Sequence, residues 1–175
     1  MKKHLTPDLR PLIASDGLFP VSGALAPLRG YQDLATKHKG VIWIDDAHGV
    51  GIMGAHGRGT CEALKSRSHN IFLGATLSKA FGAYGGIIPG SREFIEIIRS
   101  GKVLTGSSSP MNAAVAAGIK GLDLVQENKE LREKLWENAR YMREGLEHMG
   151  ISMEQAFIQE MHGTVPIFSF THRNE

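Results

Sequence analysis

The chain has 175 residues, 42% of them hydrophobic, which is enough for one globular core and too little for two. Its 20 Lys and Arg are interspersed with 18 Asp and Glu and form no basic stripe, so neither nucleic acid nor a membrane surface is an expected partner. No apolar run reaches the roughly 18–20 residues of a membrane span, Met1-Lys2-Lys3-His4 runs on to Pro7 and Asp8 where a leader would need apolar residues, and Cys61 is alone, all of which fit a soluble, reducing, cytoplasmic setting.

In chain order, Arg10 to Ser15 is a short apolar run closed by the turn pair Asp16-Gly17, a strand pattern. Leu28, Tyr31, Leu34 and Ala35 give a one-sided helix over 28–38, stopped by Lys39-Gly40 with cations in the last turn and glycine beyond. Val41-Ile-Trp-Ile44 is a continuous β-branched and aromatic run, the pattern of a strand covered on both faces, and it ends in Asp45-Asp46. Asn70 to Leu73 is a second such run. Ala83 to Pro89 is a weaker strand, Arg92 to Gly101 a short helix, and Pro110 to Gly121 an Ala-rich helix. Leu131, Leu135, Met142, Leu146 and Met149 continue as a long helix beyond a break near Asn128, with Gly150 as the stop. Thr164 to Thr171 is a last strand candidate. Strands alternating with helices predict crossover connections and a largely parallel sheet, whose binding crevice lies beyond the carboxyl ends of the strands.

Two charged motifs fall at those ends. Asp45-Asp46-Ala47-His48-Gly49 follows the first buried run, where a carboxylate meets low dielectric and stays ionised only opposite a cationic or proton-donating partner. The plain alternative is that the two Asp cap a following helix or turn and that His48 is a rim histidine. No third ligand falls at a usual spacing for a metal site. The second motif, Gly74-Ala-Thr-Leu-Ser-Lys-Ala-Phe-Gly82, holds Lys79 among small residues after the next strand. Partial desolvation there would free its amine as a nucleophile, as a Schiff-base lysine requires, while a solvated loop lysine is the plain alternative. Thr76 and Ser78 are either turn formers or phosphate ligands. A Walker loop needs Gly-Lys-Ser/Thr, and this chain has Ser78-Lys79-Ala80.

Together, Asp45-Asp-Ala-His-Gly49, Gly57-Arg-Gly-Thr60 and Thr76-Leu-Ser-Lys-Ala-Phe-Gly82 resemble the α-oxoamine synthases, fold-type I enzymes that use pyridoxal 5'-phosphate. Asp16-Gly-Leu-Phe19, Ala26-Pro-Leu28 and Leu135-Trp-Glu-Asn-Ala-Arg140 extend the resemblance from about Arg10 to about Gly150. It implies an α/β, three-layer αβα fold with a mostly parallel sheet, truncated. Residues 1–150 would form part of the cofactor-binding large domain, and 151–175 would begin a C-terminal subdomain.

By resemblance, Lys79 carries the cofactor and moves the proton at the substrate's α-carbon, Asp45 pairs with the pyridinium nitrogen, and His48 bonds the ring's phenolate oxygen. Thr76 binds the phosphate, and in a homodimer Thr105 and Ser107 reach the phosphate from the neighbouring subunit. No metal is implied. The implied reaction condenses an amino acid with an acyl-CoA and releases carbon dioxide, giving an aminoketone. A transaminating enzyme and a non-catalytic remnant or interaction module are the alternatives. The chain departs from the family in having Phe19-Pro20-Val21-Ser22 where members have a Phe-Ser-Met-Asp type stretch. It also lacks the glycine-rich turn, the ring-stacking aromatic or histidine, and the arginine for the substrate carboxylate.

Overall fold

Parallel strands must be joined by crossovers, and the first two apolar runs are spaced to allow one. The computed structural model describes residues 9–151, 157–158 and 163–167. In it β1 (Leu12–Asp16) pairs in parallel with β2 (Val41–Asp45), and β2 with β3 (Ile71–Thr76). Helix α1 (Leu28–Lys37) connects β1 to β2, and the single turn α2 (Thr60–Ala63) lies between β2 and β3. A short antiparallel strand, β4 (Gly86–Ile87), closes the sheet order β1-β2-β3-β4. Because Asp16 is level with Asp45 and Asp45 with Gly74, the carboxyl ends of the three parallel strands form one row.

Ile42 and Ile44 are fully buried, and with Ile13, Ile71 and Leu73 they pack on Leu28 and Ala35 of α1 and on Cys61 of α2. Side chains alternate across a strand, so Val41, Trp43 and Asp45 project to the opposite face. There Leu12 is 65% and Val41 39% exposed, which corrects the expectation that the run Val41–Ile44 is covered on both sides. An unbroken apolar run does not reveal which of its alternate residues find a partner. Among the described residues, cover on that face comes from Phe94 of α3 (Arg92–Ser100), whose ring centroid lies 4.6 Å from that of Phe72. Helices thus flank both faces, unequally.

Two long helices follow, α4 (Asn112–Glu127) and α5 (Lys129–His148), broken at Asn128 as the sequence predicts. Arg132 of α5 secures the break, with Nη1 donating to the Val125 carbonyl at 2.6 Å and Nη2 to that of Ala55 at 3.0 Å. A cation thereby caps the carboxyl end of α4, where it is favoured by the dipole. Trp136 of α5 packs on a second buried cluster of Leu18, Met53, Ala63 and Val165. Of the last strand candidate, Gly163–Thr164 (β6) pairs antiparallel with Phe157–Ile158 (β5), residues 165–167 are not strand, and 168–171 lie outside the described residues. At the end of α1, Lys39 and not Gly40 takes the left-handed φ of 49°. Gly40 is needed for room instead, since a Cβ there would stand 2.5 Å from the Pro11 carbonyl oxygen.

Gly118 and Gly121 are the buried positions of α4, and a methyl at Gly121 would overlap the backbone carbonyl of Phe81. Glycine costs a helix about 1 kcal/mol against alanine, so its presence here reflects close packing on the loop after β3. Replacing Gly121 by Ala is expected to lower unfolding free energy by about 1–3 kcal/mol despite the better propensity, whereas Gly145→Ala, with open space around it, raises it by up to about 1 kcal/mol. Urea unfolding of the two variants checks this pair.

Candidate functional site

The row of strand ends opens into a hollow of about 370 Å³ lined by Trp43, Asp45, Ala47, Gly74, Ala75, Thr76 and β4. Asp45 comes from β2 and Thr76 from the end of β3. Gly74, level with Asp45, is buried between them, where a Cβ would press on the Trp43 indole at 2.8 Å. Asp45 Oδ1 accepts the Ala47 N–H at 3.0 Å, which turns the chain under the hollow and presents the small Ala47 methyl to it. Asp45 is exposed, which corrects the expectation that it is the buried acid: it lies on the sheet face opposite Ile42 and Ile44.

Thr76 organises the loop that carries Lys79. Its Oγ1 donates to the Gly85 carbonyl at 3.2 Å, accepts the Ser78 N–H at 3.2 Å and lies 2.7 Å from Ser78 Oγ. Backbone bonds from Leu77 N–H to Gly85 O and from Ala83 N–H to Leu77 O, at 2.9 Å each, draw the loop closed. Gly82 and Gly85 take φ of 59° and 123°, left-handed conformations that side chains disfavour. Phe81 is 5% exposed, and Ala80 sits where Gly51 leaves room. The loop is therefore well anchored on either side of Lys79. Lys79 itself is exposed, so the expected partial desolvation is not present in this chain. The same loop residues that anchor the turn hold its tip away from the core.

Asp45 and Thr76 share the hollow, while Lys79, His48, Thr105 and Ser107 are not among its lining residues. His48 is half-buried in the turn below it. Thr105 and Ser107 are exposed after the short 3₁₀ turn Lys102–Leu104, with the Ser107 N–H donating to the Leu104 carbonyl at 3.1 Å. Among the described residues no three His, Cys, Asp or Glu side chains converge as metal ligands, and no helix is long and apolar enough to cross a membrane.

The buried acid is Asp46, 2% exposed. Its Oδ2 accepts the Thr60 N–H at 2.7 Å and its Oδ1 the Thr60 hydroxyl at 2.5 Å, which ties the turn after β2 to the first residue of α2. A Cβ at Gly17, Gly49 or Gly59 would collide with this carboxylate. Burial pushes its pKa from 3.8 to about 6, against the pull of the two Thr60 bonds and with help from the Asp45 charge. Burial, with a contribution from Asp46, also raises the Cys61 thiol to about 11, which disfavours its thiolate form. Neighbouring Glu62 is also pushed up by burial, but hydrogen bonds from His56 and from the Arg58 and His56 N–H groups outweigh this and bring it below the ordinary value. Ala47, Thr60 and Gly74 stand inside the quoted motifs without a role assigned to them there, although the glycines at 17, 49 and 59 were an available signal.

Residues 4–167 match the family model Aminotransferase class I and II. The chain is 38% identical over 142 residues to the 8-amino-7-oxononanoate synthase of Thermosipho melanesiensis, covering 81% of this chain and 36% of that protein. It is 37% identical over 158 residues to the 2-amino-3-ketobutyrate coenzyme A ligase of Escherichia coli K12, covering 89% and 39%. A solved structure of S. paucimobilis serine palmitoyltransferase with a bound PLP-myriocin aldimine aligns with TM-score 0.83 and 24% identity, over 98% of this chain and 44% of that one. At that identity the likeness concerns the fold. The chain spans well under half the length of each of these three proteins.

The Asp46 carboxyl makes stability depend on pH. Its folded pKa is raised, so its contribution is fully present below about pH 3.8 and is lost as pH rises through about 6. Asp46→Asn has no such loss. Urea unfolding from pH 4 to pH 7 is expected to show wild type falling relative to Asp46→Asn by on the order of 3 kcal/mol; parallel pH profiles would contradict the assignment.

Proposed function

The chain belongs to the aminotransferase class I and II family, and from that premise we infer that it is the cofactor-binding part of a pyridoxal-phosphate-dependent acyltransferase of the α-oxoamine synthase kind. The observation that carries this is the meeting of Asp45 and Thr76 at one hollow on adjacent strand ends, with Lys79 on the loop that Thr76 ties down. The donor set fits pyridoxal phosphate. A carboxylate suits a protonated ring nitrogen, hydroxyls at Thr76 and Ser78 suit a phosphate, the small Ala47 leaves room for a flat ring, and an amine is close in sequence for the aldehyde.

When bound, the cofactor supplies an electron sink for negative charge developing at a substrate α-carbon. Asp45 would keep the ring nitrogen protonated, and His48 would donate a hydrogen bond to the phenolate oxygen. Thr76 holds the phosphate, with Thr105 and Ser107 contributed by a second copy in a homodimer. Lys79 Nζ would hold the cofactor at its aldehyde, and its amine would take the proton from the amino acid's α-carbon and later return one to the product. Over the whole reaction the α-carbon loses its carboxyl group as carbon dioxide and gains the acyl carbon, while the thioester C–S bond breaks and releases CoA. The two relatives point to 8-amino-7-oxononanoate formation, which belongs to biotin synthesis, or to glycine acylation as the two substrate pairings. On this reading residues 1–150 belong to the cofactor domain, 151–175 begin the next, and the site of action is the cytoplasm. The exposure of Lys79 and the bare Leu12–Val41 face favour a second reading, a non-catalytic interaction module.

Borohydride reduction of the chain in pyridoxal phosphate, followed by peptide mapping, is expected to find the label on Lys79 and to lose it in Lys79→Ala. With an acyl-CoA and glycine, alanine or serine, aminoketone and free CoA should form. Asp45→Asn is expected to slow this by on the order of 100-fold or more, since it removes the charge that stabilises the protonated ring. Amino-group exchange without CoA release would indicate transamination. An unlabelled chain would favour the interaction module.

A further inference from the structure

The cofactor role needs Asp45 and His48 aimed in fixed directions, yet the first is exposed and the second half-buried. The residue held rigidly between them is Asp46. Its N–H donates to the Gly74 carbonyl at 2.8 Å, and its own carbonyl accepts the N–H groups of Gly49 at 3.0 Å and Val50 at 2.9 Å. Its two carboxylate oxygens are both taken by Thr60, through the backbone N–H and the hydroxyl. Every polar atom of Asp46 is thus engaged, and the bonds reach three separate segments: β3, the turn that carries His48, and the first residue of α2. Gly17, just beyond β1, along with Gly49 and Gly59, closes around the carboxylate so tightly that none could carry a side chain without displacing it.

Neither Asp46 nor Thr60 lines the hollow. Any influence on it must therefore pass through the backbone of Asp45 and the 46–50 turn. We propose that Asp46 and Thr60 are a positioning pair for the cofactor site: the Thr60 hydroxyl, by gripping the Asp46 carboxylate, holds the turn that sets the directions of Asp45 and His48. This inference rests on the pyridoxal-phosphate reading given above. The four-residue α2 serves as an anchor for the carboxylate. The packing of three backbone segments around one acid leaves the turn a single arrangement, whereas without the hydroxyl Oδ1 is left unpaired in a buried space and the turn relaxes to reach another donor.

The test is a titration of the whole chain with pyridoxal 5'-phosphate, followed through the emission of Trp43, which lines the hollow. It is run well below the melting temperature of each protein, with circular dichroism verifying the fold. Thr60→Val keeps the backbone bond and the shape but removes the hydroxyl; its Kd is expected to rise about tenfold or more, the penalty of one unpaired buried oxygen. Thr60→Ser restores a hydroxyl and should return Kd to within about threefold of wild type. Thr60→Ala, which also loses the hydroxyl but favours the helix, carries the same expectation as Thr60→Val and decides the matter where Val does not fold. A merely structural pair would lower the melting temperature and leave Kd of the folded protein unchanged. Folded Thr60→Val or Thr60→Ala binding as tightly as wild type overturns the proposal alone. Wild type that does not bind the probe overturns the cofactor reading and this inference with it.

Discussion

A buried carboxylate that accepts two hydrogen bonds from one residue ties the turn after β2 to β3 and to the start of α2. Asp46 stands just past the end of β2, where the chain must leave the sheet and start back toward α2. Removing such a charge from water costs several kcal/mol unless donors replace the lost hydration. Thr60 supplies two donors, and the three surrounding glycines make the space. The compensation is incomplete, since the carboxyl still holds its proton up to about pH 6. Stability is therefore spent to fix one turn, and the turn it fixes carries Asp45, Ala47 and His48.

That constraint connects the fold to the proposed chemistry. Parallel pairing with level registers puts Asp45 beside Gly74, and Gly74 leads in two residues to Thr76. A carboxylate and a hydroxyl thus face one hollow without either residue being near the other in sequence. The loop beyond Thr76 is then pinned from several sides. Thr76 and Leu77 bond to Gly85, Ala80 packs on Gly51, and the Phe81 carbonyl rests against Gly121 of α4. Small residues recur wherever backbone must approach backbone, which explains why so many of the chain's glycines cluster around the site.

Much of this was legible in the residues. Apolar runs located β1, β2 and β3, the spacing of Leu28 to Ala35 located α1, and the break at Asn128 separated α4 from α5. The family followed from a resemblance carried by Asp45-Asp-Ala-His-Gly49, Gly57-Arg-Gly-Thr60 and Thr76-Leu-Ser-Lys-Ala-Phe-Gly82 taken together. What escaped was which acid is buried. The run Val41 to Ile44 looks uniform, but strand alternation sends Ile42 and Ile44 inward and Asp45 to the open face, and only the turn after β2 brings Asp46 under α2. Likewise Lys79 was expected to be desolvated from the small residues around it. Small residues let a loop close tightly, and a tight loop can hold its tip out in solvent. Burial depends on tertiary cover, which local composition does not specify.

In the proposed function, Asp45 and Lys79 serve one flat, phosphorylated ring seated at the ends of β2 and β3. A crystal structure of the chain grown with pyridoxal 5'-phosphate tests it most directly. Ring density is expected against Ala47, with its nitrogen on the Asp45 carboxylate, its phosphate at Thr76 and continuous density to Lys79 Nζ. A ring bound elsewhere, or an Asp45 carboxylate turned away from it, would rule out this cofactor site.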